Sequence, residues 1–132
     1  MSKLLHHDRY EFLPINARPD FSWPDGKRLA VYIGINVEWF DFYGDEGATL
    51  AQAKPAPDVM NYAWRDYGNR VGIWRMFDLF DRLQLPVAGL VNSSVADHAP
   101  EIIERFMTRG DEIVSHGVTN SEAPGQLDRN EE

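Results

Sequence analysis

Glu38, His116 and the polar side chains around them are the residues of this sequence with the most chemistry to offer. An imidazole gains or loses a proton near neutral pH, and a carboxylate can take one from water. His116 ends the stretch Asp111-Glu112-Ile113-Val114-Ser115-His116, with Gly117 after it, Asn120 four residues on and Glu122 two further. Glu38 follows an apolar run over 29–35, with Asn36 before it and Trp39 after it. Asn92 and Ser93 end a third apolar run over 87–91. Each has a plainer reading. His116 can cap a strand and bond to backbone, Glu38 can be an exposed loop carboxylate, and Asn92 and Ser93 can be turn or capping groups.

Three strands and two helices must position these groups. The run over 29–35 is apolar apart from Tyr32 and Gly34, the pattern of a strand buried on both faces. A helix over 67–83 follows, with Ile73, Met76, Phe77, Phe80 and Leu83 in one stripe that reads as core. Pro86 opens the strand over 87–91; the edge of a ladder tolerates its missing N–H. A second helix spans 101–109, with Pro100 at its first turn, Ile102, Ile103, Phe106 and Met107 on its buried face, and Gly110 as its left-handed cap. The short run Ile113-Val114 reads as a third buried strand, and Gly117 lets the chain turn or approach a ligand closely. Strand, helix, strand, helix, strand implies right-handed βαβ units and a parallel sheet. All three polar-tipped strand ends then share one sheet edge, where parallel α/β folds bind ligands.

The remainder sets bounds. A chain of 132 residues with 43% hydrophobic content suits one modest domain with a real core. A formal charge of −8 argues against a nucleic-acid partner, and no run approaches the roughly 18 apolar residues of a membrane span. There is no cysteine, hence no thiolate chemistry, and the first residues lack a signal-peptide core, so the expected location is cytoplasmic. Residues 1–27 form an extended lead-in rich in turn formers, with His6 and His7 read as solvated. Residues 40–66 read as a long irregular segment; Trp39, Phe40, Phe42, Tyr43 and Trp64 would either line a binding wall or plug the core beneath it.

The chain resembles the N-terminal part of the polysaccharide deacetylase superfamily (carbohydrate esterase family 4), in the branch with allantoinase-like and peptidoglycan-deacetylase-like proteins. The resemblance rests on Trp23-Pro24-Asp25-Gly26-Lys27-Arg28-Leu29-Ala30-Val31, Asn36-Val37-Glu38, Tyr67-Gly68-Asn69-Arg70-Val71-Gly72-Ile73-Trp74-Arg75, and Ser115-His116-Gly117 with Asn120 and Glu122. It implies an α/β fold, a distorted (β/α) barrel that hydrolyses amide-type C–N bonds. It also implies a metal, commonly zinc, held by an Asp after the first strand and a His-x-x-x-His pair after the third. In that pattern Glu38 matches the general base and His116 the first histidine, while Trp39 stands at the metal-binding Asp and Asn120 at the second histidine.

One strong ligand of three remains, so the resemblance implies either no metal or a weakly bound divalent ion such as zinc, with His116 its candidate ligand. Glu38 and His116 are the expected catalytic pair, and Asn36, Trp39, Asn92, Asn120 and Glu122 the expected substrate contacts. A closed barrel usually needs about 200 residues or more. Residues 28–132 therefore read as a partial domain, truncated at its C-terminal end: three parallel strands with helices, an incomplete barrel and an open edge through which copies of the chain would self-associate. The expected function is deacetylase-like hydrolysis of a small-molecule or sugar amide in carbohydrate or ureide metabolism. The alternative is an inactive fragment or a non-catalytic carbohydrate-binding module of the same family.

Overall fold

The apolar runs become strands, but shorter ones than their lengths predict. In the computed structural model, which describes residues 8–44 and 55–122, β1 is Gly34–Val37, β2 is Ala88–Val91 and β3 is Glu112–Ser115. Both pairings are parallel and the order is β1-β2-β3, with Gly34 opposite Ala88 and Ala88 opposite Glu112. Ile35, Val37 and Val91 join the core, whereas Gly34 and Asn36 alternate onto an exposed face.

The expected buried strand over 29–35 needs correction. Leu29 and Val31 are each 74% exposed, and pairing starts only at Gly34. The reason lies in β2. The Ala88 N–H donates to the Ile33 carbonyl, but the Val87 N–H is committed to Asp111 and Pro86 has none, so β2 offers no donor further back. β3 is also less buried than expected, with Ile113 exposed, because it pairs only with β2 among the described residues.

Helical structure begins earlier than the sequence predicts. Asp58 caps α1 (Val59–Tyr67) by accepting the Asn61 N–H, so part of the expected irregular segment is helix. A π-helical turn, Gly68–Gly72, links α1 to α2 (Ile73–Leu83). A short helix absent from the sequence reading, α3 (Ser94–His98), precedes α4 (Pro100–Arg109), which ends at Gly110 with φ 74° as expected. Ile73, Phe77, Phe80, Ile102 and Phe106 form the core against the sheet. Met76, Leu83 and Met107, expected in the same stripes, are exposed because they sit at the margins of their apolar faces. At Gly89 a β-carbon would lie 2.7 Å from the Phe106 ring, which explains the bare backbone there.

At the amino ends of β2 and β3 the chain is pinned by charge. Asp111 accepts the Val87 N–H at 3.1 Å and the Arg109 Nε–H at 2.6 Å; Arg109 also donates to the Leu85 carbonyl and pairs with Asp81. The chain forms two compact units, Met1–Val31 and Tyr32–Glu132. In the first, Trp23 and Lys27 form an antiparallel bridge around the turn Pro24–Gly26. His6 and His7 lie outside the described residues. Among the described residues no helix is long and apolar enough to cross a membrane.

Candidate functional site

Parallel strands deliver their carboxyl ends to one rim, and here that rim gathers the predicted pair. Glu38 follows β1 directly and His116 follows β3 directly. Their side chains meet across the tip of β2, with His116 Nε2 and Glu38 Oε1 3.6 Å apart. The His116 side chain is 33% exposed and that of Glu38 30%, so water can reach both. Backbone rungs fix the tips: the Asn92 N–H donates to Val37 and the His116 N–H to Val91. Gly117, at φ 75°, then turns the chain so that its carbonyl accepts the Ser93 N–H at 2.9 Å. A β-carbon here would meet nothing within 4 Å, so this glycine serves the turn and not a close approach.

Asn92 departs from its expected role as a substrate contact. It is 0% exposed. Its Oδ1 accepts the Trp39 N–H at 2.8 Å, and its Nδ2 donates to the His116 carbonyl and, at 3.2 Å, to Asn120 Oδ1. The Asn120 N–H in turn donates to the Trp39 carbonyl at 2.9 Å. Asn92 lies beneath the rim and joins its parts. All its side-chain partners are distant in sequence, so only the fold reveals this.

The other predicted residues separate. Trp39 is half-buried and stacks on His98, ring centroids 4.6 Å apart and planes at 11°. Asn36 projects onto the open face of β1, and Glu122 is exposed with no hydrogen bond or ion pair to Glu38 or His116 among the described residues. The aromatic segment divides too. Phe40 is buried in the core, whereas Phe42 makes edge contacts with Tyr43 and Tyr62, and Tyr43 and Trp64 are exposed.

Two residues near Glu38 escaped the sequence reading. Asn69, in the π-helical turn, donates from Nδ2 to the Glu38 carbonyl at 2.8 Å. Its signal was the paired glycines, Gly68 and Gly72, that bracket the turn. Arg65 lays its guanidinium 4.4 Å from the Phe40 ring centre. Asn69 and Arg65 line a cleft of about 190 Å³ beside Glu38, together with Asn36, Phe40, Ile73 and Met76. A smaller recess beside it includes Tyr62, whose phenol is pushed above its ordinary pKa by burial first and by the Asp66 carboxylate second, keeping it a neutral hydroxyl.

The residues present do not fit the metal that the resemblance implies. Trp39 carries no metal-ligating atom, Asn120 already accepts a hydrogen bond from Asn92, and among the described residues no three His, Cys, Asp or Glu side chains are grouped to hold an ion.

No family model matches the chain. A Schizosaccharomyces pombe protein provisionally named a polysaccharide deacetylase is 25% identical over 116 residues, covering 78% of this chain and 35% of its own. Among crystal structures, Puue allantoinase superposes with a TM-score of 0.65 at 24% identity, covering 85% of this chain and 42% of its own; at that identity the likeness shows the fold. A Mycobacterium smegmatis protein provisionally named a polysaccharide deacetylase gives 0.61 at 28%, covering 83% and 36%. The chain thus spans about a third of the curated relative that it matches. Its three parallel strands and helices are a portion of these barrel folds, and the partial coverage fits an N-terminal part.

Proposed function

From the chain's place as a partial member of the polysaccharide deacetylase superfamily, we propose that its rim carries the acid–base pair of a hydrolase cleaving non-peptide C–N bonds. The observation that carries this reading is the Glu38–His116 contact at the carboxyl ends of parallel strands. Glu38 takes a proton from a water molecule whose oxygen attacks the amide carbonyl carbon. The tetrahedral intermediate collapses as the C–N bond breaks, and protonated His116 gives its proton to the leaving nitrogen. The proton held by Glu38 then passes to His116, which restores the pair; an N-acetylated sugar yields a carboxylic acid and an amine, and a cyclic ureide yields one ring-opened ureido acid. No step calls on a metal, because the donor set does not fit one. The substrate is a small molecule: an N-acetylated sugar or a cyclic ureide. The rest of the barrel would enclose it, supplied by further polypeptide or by a second copy of the chain.

A second reading, a non-catalytic carbohydrate-binding module, is favoured by the exposed rings of Tyr43 and Trp64. Hydrolysis of N-acetylated oligosaccharides and cyclic ureides separates the two. The hydrolase reading expects turnover that falls about 10²–10⁴-fold in Glu38→Gln. A folded chain that hydrolyses neither class, yet binds oligosaccharide equally well with and without Glu38→Gln, would be a binding module.

A further inference from the structure

The resemblance assigns a metal to positions 39, 116 and 120, where one cation would tie the tip of the first strand to that of the third. Here the same three positions are tied together by Asn92. We infer that the Asn92 carboxamide takes over the mechanical task of the metal, as the positioning residue that sets the spacing of Glu38 and His116.

The geometry dictates the residue type. The linker must accept on the β1 side, from the Trp39 N–H, and donate twice on the β3 side, to the His116 carbonyl and Asn120 Oδ1. A carboxylate cannot donate, and an aliphatic side chain can do neither. The Asn120 N–H to Trp39 carbonyl bond closes a ring of three residues around the amide. Asn92 is fully buried, so no water competes for these bonds.

The exchange of metal for amide has a chemical consequence. A bound cation would occupy an imidazole nitrogen of His116. Asn92 holds this residue by its main-chain carbonyl instead and leaves Nε2 facing Glu38. The substitution therefore keeps the rim in register while freeing the imidazole to carry a proton. Asn69 supports the other side, holding Glu38 by its carbonyl and leaving its carboxylate unencumbered.

This inference rests on the reading of Glu38 and His116 as the working pair, but its test needs no turnover. In the full chain labelled with ¹⁵N-histidine, Glu38→Gln should shift the His116 ring-nitrogen signals. In an Asn92→Asp background that response should fall by more than half, and the melting temperature by roughly 5–10 °C, because buried groups lose their partners. An undiminished response would overturn the inference. Should Asn92→Asp fail to fold, Asn120→Ala removes one partner at a half-exposed position. The response should then weaken partially, and no weakening overturns the proposal. Excess zinc and, separately, a chelator should leave both melting temperature and His116 signals of the unaltered chain unmoved; a shift with either would mean that a metal, not the amide, holds the rim. A chain that passes these tests but hydrolyses nothing would keep the clamp and lose only the hydrolase reading.

Discussion

At the amino ends of the strands the Asp111 side chain is 2% exposed and that of Arg109 8%, and both are hydrogen-bonded to backbone as well as to each other. At the carboxyl ends Glu38 and His116 are about one-third exposed and 3.6 Å apart, with neither side chain engaged by a backbone group among the described residues. The same class of ion-pairing residues thus plays two parts in one sheet. Charges taken out of water need every partner they have, so the lower pair is fixed and structural. The upper pair is held through its main chain while its ionisable atoms stay open to water. The pair to which the proposed hydrolysis is assigned is the one whose backbone is clamped and whose side chains are left loosely paired.

The contrast can be broken from either end. Glu38→Gln should reduce amide hydrolysis about 10²–10⁴-fold while changing the stability read from urea unfolding by no more than about 0.5 kcal/mol. Asp111→Ala should do the reverse. It strands the Val87 N–H and leaves Arg109 with only Asp81 and the Leu85 carbonyl, and chemical denaturation should show a loss of about 1–3 kcal/mol. Gly89→Ala, which forces a methyl against the Phe106 ring between the two ends, should destabilise by about 1–3 kcal/mol in the same measurement. Met107→Gln sharpens the comparison at its lower limit: the side chain is exposed, and the change should stay within about 0.5 kcal/mol despite its place in an apolar stripe.

Where the signal was local, the fold was legible. The stripes of α2 and α4, the Gly110 cap and the order of strands and helices all follow from residues near one another in sequence. The start of α1 was legible in principle, since Asp58 before Val59 is an ordinary cap, but the surrounding glycines and prolines obscured it. The extent of β1 was not legible. It depends on which donors β2 can spare, and those are set by Pro86 and Asp111, far along the chain. At the site, the strand-tip positions of Glu38 and His116 could be read from the apolar runs that precede them. The burial of Asn92 could not, because its side-chain partners lie on two segments far from it in sequence and nothing beside it marks it as interior.

The ring around Asn92 also sets a clock. The amide hydrogens of Trp39 and Asn120 lie outside any strand, where exchange with deuterated solvent is ordinarily fast. Both are locked into the ring, one on a fully buried oxygen. They should exchange as slowly as the rungs of β2, so that two loop positions open only when the sheet itself does.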